Sequence, residues 1–401
     1  MSAILEALQA HADEFVAMRR DIHRHPELGF EEFRTSDLVA ERLARWGYAV
    51  ERGLGGTGVV GQLRRGTGGK RLGLRADMDA LPIVETTGLA HASTRHGVMH
   101  ACGHDGHTAM LLAAAHHLAT QGQFDGTLNL IFQPAEEGQG GEGQGGAKRM
   151  IEDGLFAKYP CDAVFAMHNM PGHPQGKLLL REGAAMASSD HVTITLEGTG
   201  GHGAMPHRAA DPVVAGSAIV MGLQSIVARN IDPLHMAVIT VGAFNAGMAN
   251  NVIPQSATLE LSVRSLDRGV RDTLERRITE LAQGQAQSFG VTARVDYRRS
   301  YPVLVNTSAE TEFARKVALE LVGADRVEPQ ARPLTGSEDF AFMLEQVPGS
   351  YVLIGNGDGT ADGINDGHGA CMVHNPGYDF NDRNLPIGAA YWALLAQRFL
   401  V

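Results

Sequence analysis

Short apolar runs separated by helical segments recur along most of this 401-residue chain, and that alternation restricts its fold more than any other feature. Residues 72–76, 127–132, 162–167 and 351–354 are each only a few residues long, mainly apolar and bounded by polar or turn-forming residues. Such runs, with little polar alternation, read as strands buried on both faces. Residues 108–120, rich in Ala and Leu, read as a buried helix between the first two, and residues 147–153 open another helix before the third. Strands alternating with helices predict an α/β fold, a mostly parallel sheet with helices on both faces. Upstream, Ile4, Leu8, Phe15, Met18 and Ile22 fall near a helical period and predict one amphipathic helix, broken at His25-Pro26. A second helix fits residues 35–46 and stops at Gly47. Beyond residue 301, helices are expected over 310–322 and 337–346.

The pattern changes between residues 187 and 300. Residues 191–197 alternate as a half-exposed strand, and Asp211-Pro212 supplies an N-cap and a first-turn proline. Strands then read over 236–244 and 256–264, followed by a helix with Val270, Leu274, Ile278 and Leu281 inward, and a strand over 291–298. The order βαββαβ is a self-contained ferredoxin-like unit. A chain of this length exceeds one ordinary core. The expected division is therefore a first domain in two parts, 1–186 and 301–401, interrupted by an insert over 187–300.

The chemistry collects where the buried runs end. Asp77 and Asp79 follow the first, Glu136-Glu137 the second and His168 the third, while His374 lies in the long loop after the fourth. In open parallel sheets this is the edge where ligands bind. Any one of these residues alone would be an ordinary cap or solvated turn; several at one edge point to a site. The densest stretch is His100-Ala101-Cys102-Gly103-His104-Asp105-Gly106-His107. Cys102 and His104, two apart, face the same way only in an extended loop. A thiolate beside an imidazole suits a divalent transition ion such as Zn²⁺, Mn²⁺ or Ni²⁺. His107 falls inside the helix start and reads, with Asp105, as support for the ligands. Amide hydrolysis needs an activated water and a base to take its proton, and the adjacent carboxylates Glu136 and Glu137 can divide metal binding and proton handling.

In the insert, His202 is a glycine-flanked loop histidine, functional only if the insert closes over the metal edge. Asn251 and Arg264 offer an amide and a guanidinium that suit a substrate carboxylate, with a turn and a surface ion pair as the plain alternatives. Gly53-Leu54-Gly55-Gly56-Thr57-Gly58 has the spacing of a dinucleotide fingerprint, but strand-like residues 59–63 follow where that motif needs a helix. It reads as a hairpin loop. Residues 138–146, nearly all Gly, Gln and Glu, read as a flexible loop.

The net charge of -11 argues against nucleic acid and an anionic membrane surface as partners. No run approaches the ~18 apolar residues of a membrane span, and residues 1–20 read as neither signal nor anchor. Cys102, Cys161 and Cys371, an odd number in a long chain, are expected as free thiols in a reducing cytoplasm.

Seven segments together resemble the M20 metallopeptidase family. They are Ile22-His23-Arg24-His25-Pro26-Glu27-Leu28, Arg75-Ala76-Asp77-Met78-Asp79-Ala80-Leu81-Pro82, the cluster Met99 to His107, Phe132-Gln133-Pro134-Ala135-Glu136-Glu137, Met167-His168-Asn169, Gly336-Ser337-Glu338-Asp339-Phe340 and His374-Asn375-Pro376. They run in order over essentially the whole chain, and the cysteine-containing cluster is similar to the amidohydrolase branch of hippurate, N-acyl-amino-acid and auxin-conjugate hydrolases. The resemblance implies two divalent ions (Zn, Mn, Ni or Co) on Cys102, His104, Glu137, His168 and His374. It makes Glu136 the general base and acid and has Asp79 orient the site. It further implies that the insert is a lid and dimerisation domain of a homodimer, that His202 stabilises the oxyanion in the partner's site, and that Asn251 and Arg264 face the substrate carboxylate. Two features depart from the family pattern: the longer, glycine-rich 138–146 stretch, and Thr335 where Met is common.

The expected activity is metal-dependent cleavage of a small N-acyl amino acid into a carboxylic acid and a free amino acid, with a benzoyl acyl group first and acetyl second. A non-catalytic metal-containing binding protein on the same fold would not need the base Glu136. A redox protein using Cys102 would lack a nearby resolving cysteine.

Overall fold

The computed structural model describes residues 3–138, 145–360 and 367–401, so part of the glycine-rich stretch, residues 139–144, lies outside the described residues. The chain divides into two compact units. One comprises Met1–Gly183, Val305–Arg332 and Asp339–Val401, and the other Ala184–Leu304 with Pro333–Glu338.

The first unit is α/β. After helices α1 (Ala3–Gln9), α2 (Ala12–Arg24) and α3 (Phe33–Arg45), strands β1 (Ala49–Leu54) and β2 (Gly58–Arg65) form an antiparallel hairpin. Its turn is the rejected dinucleotide motif, closed by the Gly56 amide on the Gly53 carbonyl at 3.1 Å. Strands β3 (Arg71–Asp77), β4 (Gly126–Gln133) and β5 (Ala163–Pro171) follow, with helix α4 (His104–Thr120) between the first two and α5 (Gly146–Glu152) after the second. Among the described residues they join an eight-stranded sheet. Its order is β1, β2, β4, β3, β5, then Gly349–Gly357, β6 (Leu178–Leu179) and Val327–Glu328. The central pairs β4–β3, β3–β5 and β5 with Gly349–Gly357 are parallel.

Packing explains the strand sequences. All eight residues of β4 are buried. Alternation divides them: Leu128, Leu130 and Phe132 join an apolar cluster with Met110, Leu111 and Leu118 of α4 and with Trp392 and Leu395 of the C-terminal helix Asn384–Phe399. Removing each such side chain from water contributes roughly 1.5–3 kcal/mol. Helix α4 is buried nearly all round, in keeping with the apolar run over its residues 109–115. From β3 the chain crosses through α4 to β4, then passes through α5 to β5 on the other side of β3. That reversal places a crevice beyond the C-terminal ends of β3, β4 and β5.

The second unit is a four-stranded antiparallel sheet in the order Ala237–Ala246, Ser256–Ser265, Ser188–Glu197, Thr292–Arg299, with helices Pro212–Asn230 and Arg268–Ser288 packed in its core. The βαββαβ chain order and this strand order are ferredoxin-like. Asp211 caps the first helix through its carboxylate on the Val213 amide at 2.8 Å.

Three expectations are corrected. The single N-terminal helix is two, because the chain turns at Ala10 and His11. That break buries Leu5 and Leu8, leaving Ile4 only partly covered. The helix expected over 337–346 is only Phe340–Leu344, because the Asp339 carboxylate is used elsewhere, on Gln133 and the Ala147 amide. Finally, Pro212–Asn230 is, by length and composition, apolar enough to cross a membrane. Its Ala215, Ile219, Leu223 and Ile226 instead pack into the second unit's core.

Candidate metal centre

Strand ends and one helix start bring the donors together. The turn between Cys102 and His104 is Gly103, left-handed at φ 95°. A Cβ there would lie 2.2 Å from the Asn169 side-chain nitrogen and 2.5 Å from the Tyr378 hydroxyl oxygen, so only glycine lets the loop enter α4 this closely. Cys102 ends up buried, its Sγ 3.3 Å from His168 Nε2. His168 lies within β5, not beyond it as its run of apolar residues predicts, because β5 continues alongside Gly349–Gly357 after its pairing with β3 stops. His374 is also left-handed, at φ 64°, with its amide on the Ala101 carbonyl at 2.7 Å and its Nε2 3.0 Å from Glu137.

Among the described residues, ligand atoms of Cys102, His104 and His168 lie within 4.8 Å of one another, as do those of Cys102, Glu137 and His374, and those of His104, Glu136 and Glu137. Cys102 is common to the first two groups. The His104 side is fully buried, whereas the His374 side chain is half exposed and Glu137 partly so. The cluster is therefore closed at its base and reached from the His374 side.

Hydrogen bonds fix which ring nitrogens face inward. Asp79 accepts from His104 Nδ1 at 3.1 Å and from the Glu136 and Glu137 amides at 3.0 Å each. His104 Nε2 is left buried without a hydrogen-bond partner, 3.9 Å from Glu136 and 3.8 Å from Asp77. An orphaned imidazole nitrogen opposite a carboxylate-held Nδ1 is the arrangement a metal-ligating histidine has. His168 Nδ1 donates to the Asn169 carbonyl at 2.6 Å, which turns Nε2 toward Cys102. Residues of this kind fit divalent ions.

The electrostatics agree. Burial opposes charge on His104, but Asp77 and Asp79 outweigh it and raise its pKa to about 10. Burial, reinforced by Glu137 and Glu136, pushes the Cys102 thiol well above its usual range. Burial and the neighbouring His107 push His168 well down. A thiol, imidazoles and carboxylates packed this tightly are stabilised by a cation between them.

His107 is not available to such an ion. Its Nδ1 meets Asp77 at 2.7 Å and its Nε2 accepts from the Asn169 amide at 2.9 Å, so it braces β3 against β5. Asp105 likewise serves as support: it pairs with Arg19 at 2.8 Å and with His23 at 2.9 Å. Sequence reasoning missed Asn169 and Tyr378 as site supports. The Asn169 side chain donates to the Cys102 carbonyl at 2.6 Å and accepts from Tyr378 at 2.7 Å. Arg75 was missed too; it bonds Gln133 at 2.8 Å, Asp77 at 2.7 Å and Asp339 at 3.2 Å and ties β3 to the strand carrying the Glu136 turn. The sequence signal available was position alone: Asn169 follows His168, Arg75 precedes Asp77 by two and Tyr378 follows His374 by four.

The remaining candidates belong to the second unit. His202 is exposed, on a two-residue strand paired with Val252–Ile253, and its Nδ1 accepts from the Ala204 amide at 3.0 Å. Asn251 is exposed in the turn before that strand. Arg264 is half-buried on Ser256–Ser265 and donates to Ser337 at 2.9 Å, not to an acidic partner as a surface ion pair would require. Burial lowers its pKa.

Residues 73–398 match the pattern of peptidase family M20/M25/M40. The chain is 47% identical over 400 residues to a hippurate hydrolase of Campylobacter jejuni, covering 100% of both chains. It is 39% identical over 350 residues to an N-acetyl-L-cysteine deacetylase of Bacillus subtilis, covering 87% of this chain and 82% of that one. The crystal structure of the Bacillus subtilis YXEP protein, described as a dinuclear metal binding peptidase from the M20 family, superposes with a TM-score of 0.82 at 32% identity, covering 98% of this chain and 99% of that one.

Proposed function

The chain belongs to peptidase family M20/M25/M40, and from that premise we propose that it hydrolyses the amide bond of N-acyl amino acids in a metal-dependent reaction. The products are a carboxylic acid and a free amino acid. The observation that carries this reading is Glu136 held beside an inward-facing donor set, 3.9 Å from the unpartnered Nε2 of His104.

In this reading Cys102, His104, Glu137, His168 and His374 hold two divalent ions, of zinc, manganese, nickel or cobalt. Such ions, when bound, polarise a carbonyl and lower the pKa of water. The chain's own residues do the rest. Asp79 fixes the His104 ring and the Glu136–Glu137 backbone together, so the base and the ligands keep one geometry. Glu136 takes the proton from the attacking water as its oxygen bonds to the acyl carbon. The same carboxylic acid then returns that proton to the amine nitrogen as the carbon–nitrogen bond breaks. His202 stabilises the developing oxyanion, and Asn251 with Arg264 receives the substrate's carboxylate; the rigid planar fork of a guanidinium suits that role.

Benzoylglycine is the first substrate in this reading and N-acetyl amino acids the second, in keeping with the two relatives named above. The test is a panel of N-benzoyl, N-acetyl and N-indoleacetyl amino acids assayed with each added ion. Release of free amino acid from at least one class is expected; no turnover of any member with any ion would refute the reading.

The working form is a cytoplasmic homodimer sharing its sites. Exposed apolar side chains on the second unit support an interface there: Val214 and Met221 on helix Pro212–Asn230, and Phe244 on the edge strand Ala237–Ala246. Mixing His202→Ala chains with Glu136→Gln chains should restore part of the activity that each has lost. The absence of any recovery would place His202 and Glu136 of one chain in the same site.

A further inference from the structure

We propose that Glu32 is a positioning residue, which holds the turn at Ala135 so that Glu136 and Glu137 enter the site in the required direction. The inference rests on the reading of Glu136 as the base. Ala135 is buried and left-handed, at φ 47°, a conformation that a side chain with a Cβ disfavours. The surroundings must therefore impose it.

The Ala135 amide donates to Glu32 Oε1 at 2.8 Å, and the Thr57 hydroxyl donates to Glu32 Oε2. The next two amides, of Glu136 and Glu137, donate to Asp79 at 3.0 Å each. Three consecutive backbone donors are thus captured by two buried carboxylates from separate segments of the chain. The Ala135 carbonyl accepts from Gly146 at 2.9 Å, which ties the far side of the turn to the start of α5. Without Glu32 the Ala135 amide would be buried with no acceptor, and the peptide would relax toward the right-handed region, turning the Glu136 side chain away.

Capping its own helix does not explain the burial of Glu32. It directly precedes α3, but its side chain does not cap that helix. Glu27 takes that role instead, accepting from the Arg34 and Thr35 amides at 2.9 Å each. The carboxylate of Glu32 is left to point, fully buried, at the Ala135 turn.

The test compares Glu32→Ala, Glu32→Gln, Thr57→Val and the double variant Glu32→Ala/Ala135→Gly. Amide hydrogen exchange over residues 132–138 is measured in metal-free protein, and kcat and KM in the metal-loaded enzyme. In Glu32→Ala the Ala135 amide should exchange at least about tenfold faster, and kcat should fall roughly 10–100-fold with KM nearly unchanged, the effect of a misplaced reacting group. Glu32→Gln, which keeps an acceptor, should recover most of the rate. So should Ala135→Gly in the double variant, because glycine adopts the left-handed conformation unaided. Should Glu32→Ala fail to fold, Thr57→Val carries the test, with faster exchange expected in the same segment. Unchanged exchange in a folded variant, or no recovery from glycine, would overturn the inference. Failure of the base reading has a different signature: Glu136→Gln would stay active while the exchange result stood.

Discussion

Replacing Glu136 by glutamine should lower kcat on an N-acyl amino acid by about 10²–10⁴-fold, the range a positioned general base contributes, while the protein keeps its metal. Glutamine has nearly the same volume, and the backbone bond from residue 136 to Asp79 does not involve the side chain. The fold and the donor cluster should therefore survive. In the proposed reaction, what is lost is the oxygen that takes a proton from water and returns it to the leaving amine. The drop should appear in kcat with little change in KM, since proton transfer occurs only as the reaction proceeds. Metal analysis of the same preparation separates the alternatives. Full activity would remove Glu136 from the chemistry, and loss of an ion would make it a ligand instead.

Replacing Cys102 by alanine should be at least as severe, for a different reason. Cys102 is common to two donor groups, one with His104 and His168 and one with Glu137 and His374. Removing residues that merely support ligands costs about 10–100-fold in metal affinity or activity, so deleting a donor common to both groups should exceed ~100-fold. The cavity is small, and neither the Gly103 turn nor the Asn169 bond to the residue 102 carbonyl depends on the sulfur. Folding should be nearly unaffected. After dialysis, metal content should fall below that of the parent protein and activity should be lost in parallel. A variant that kept its full metal content and rate would refute the assignment of Cys102 as a ligand.

Much of this arrangement is legible in the sequence. Buried strands declare themselves through short apolar runs, and β3, β4 and β5 were found that way because burial on both faces leaves no polar alternation to confuse them. Within residues 188–299, the helix Arg268–Ser288 and the alternating strand Ser188–Glu197 were legible because each buries one face. Helix limits were less so. The break at His11 has neither glycine nor proline, and the short helix at Phe340 depends on an Asp339 carboxylate engaged with Gln133, 206 positions earlier. The same limit hid the supports of the site. Glu32 to Ala135, Tyr378 to Asn169 and Arg75 to Asp339 are contacts between distant segments, and a single sequence carries no periodic signal for them. Cys102 and His104 were visible because they stand two positions apart in sequence and share one donor group.

The central claim is that bound divalent ions and Glu136 together cleave an N-acyl amino acid. Its most direct test is benzoylglycine hydrolysis by the parent protein, stripped with chelator and then titrated with one ion at a time. The account predicts that the stripped protein stays folded and inactive, and that activity returns with added ion, saturating near two ions per chain. Undiminished hydrolysis by protein shown to be free of metal would contradict it.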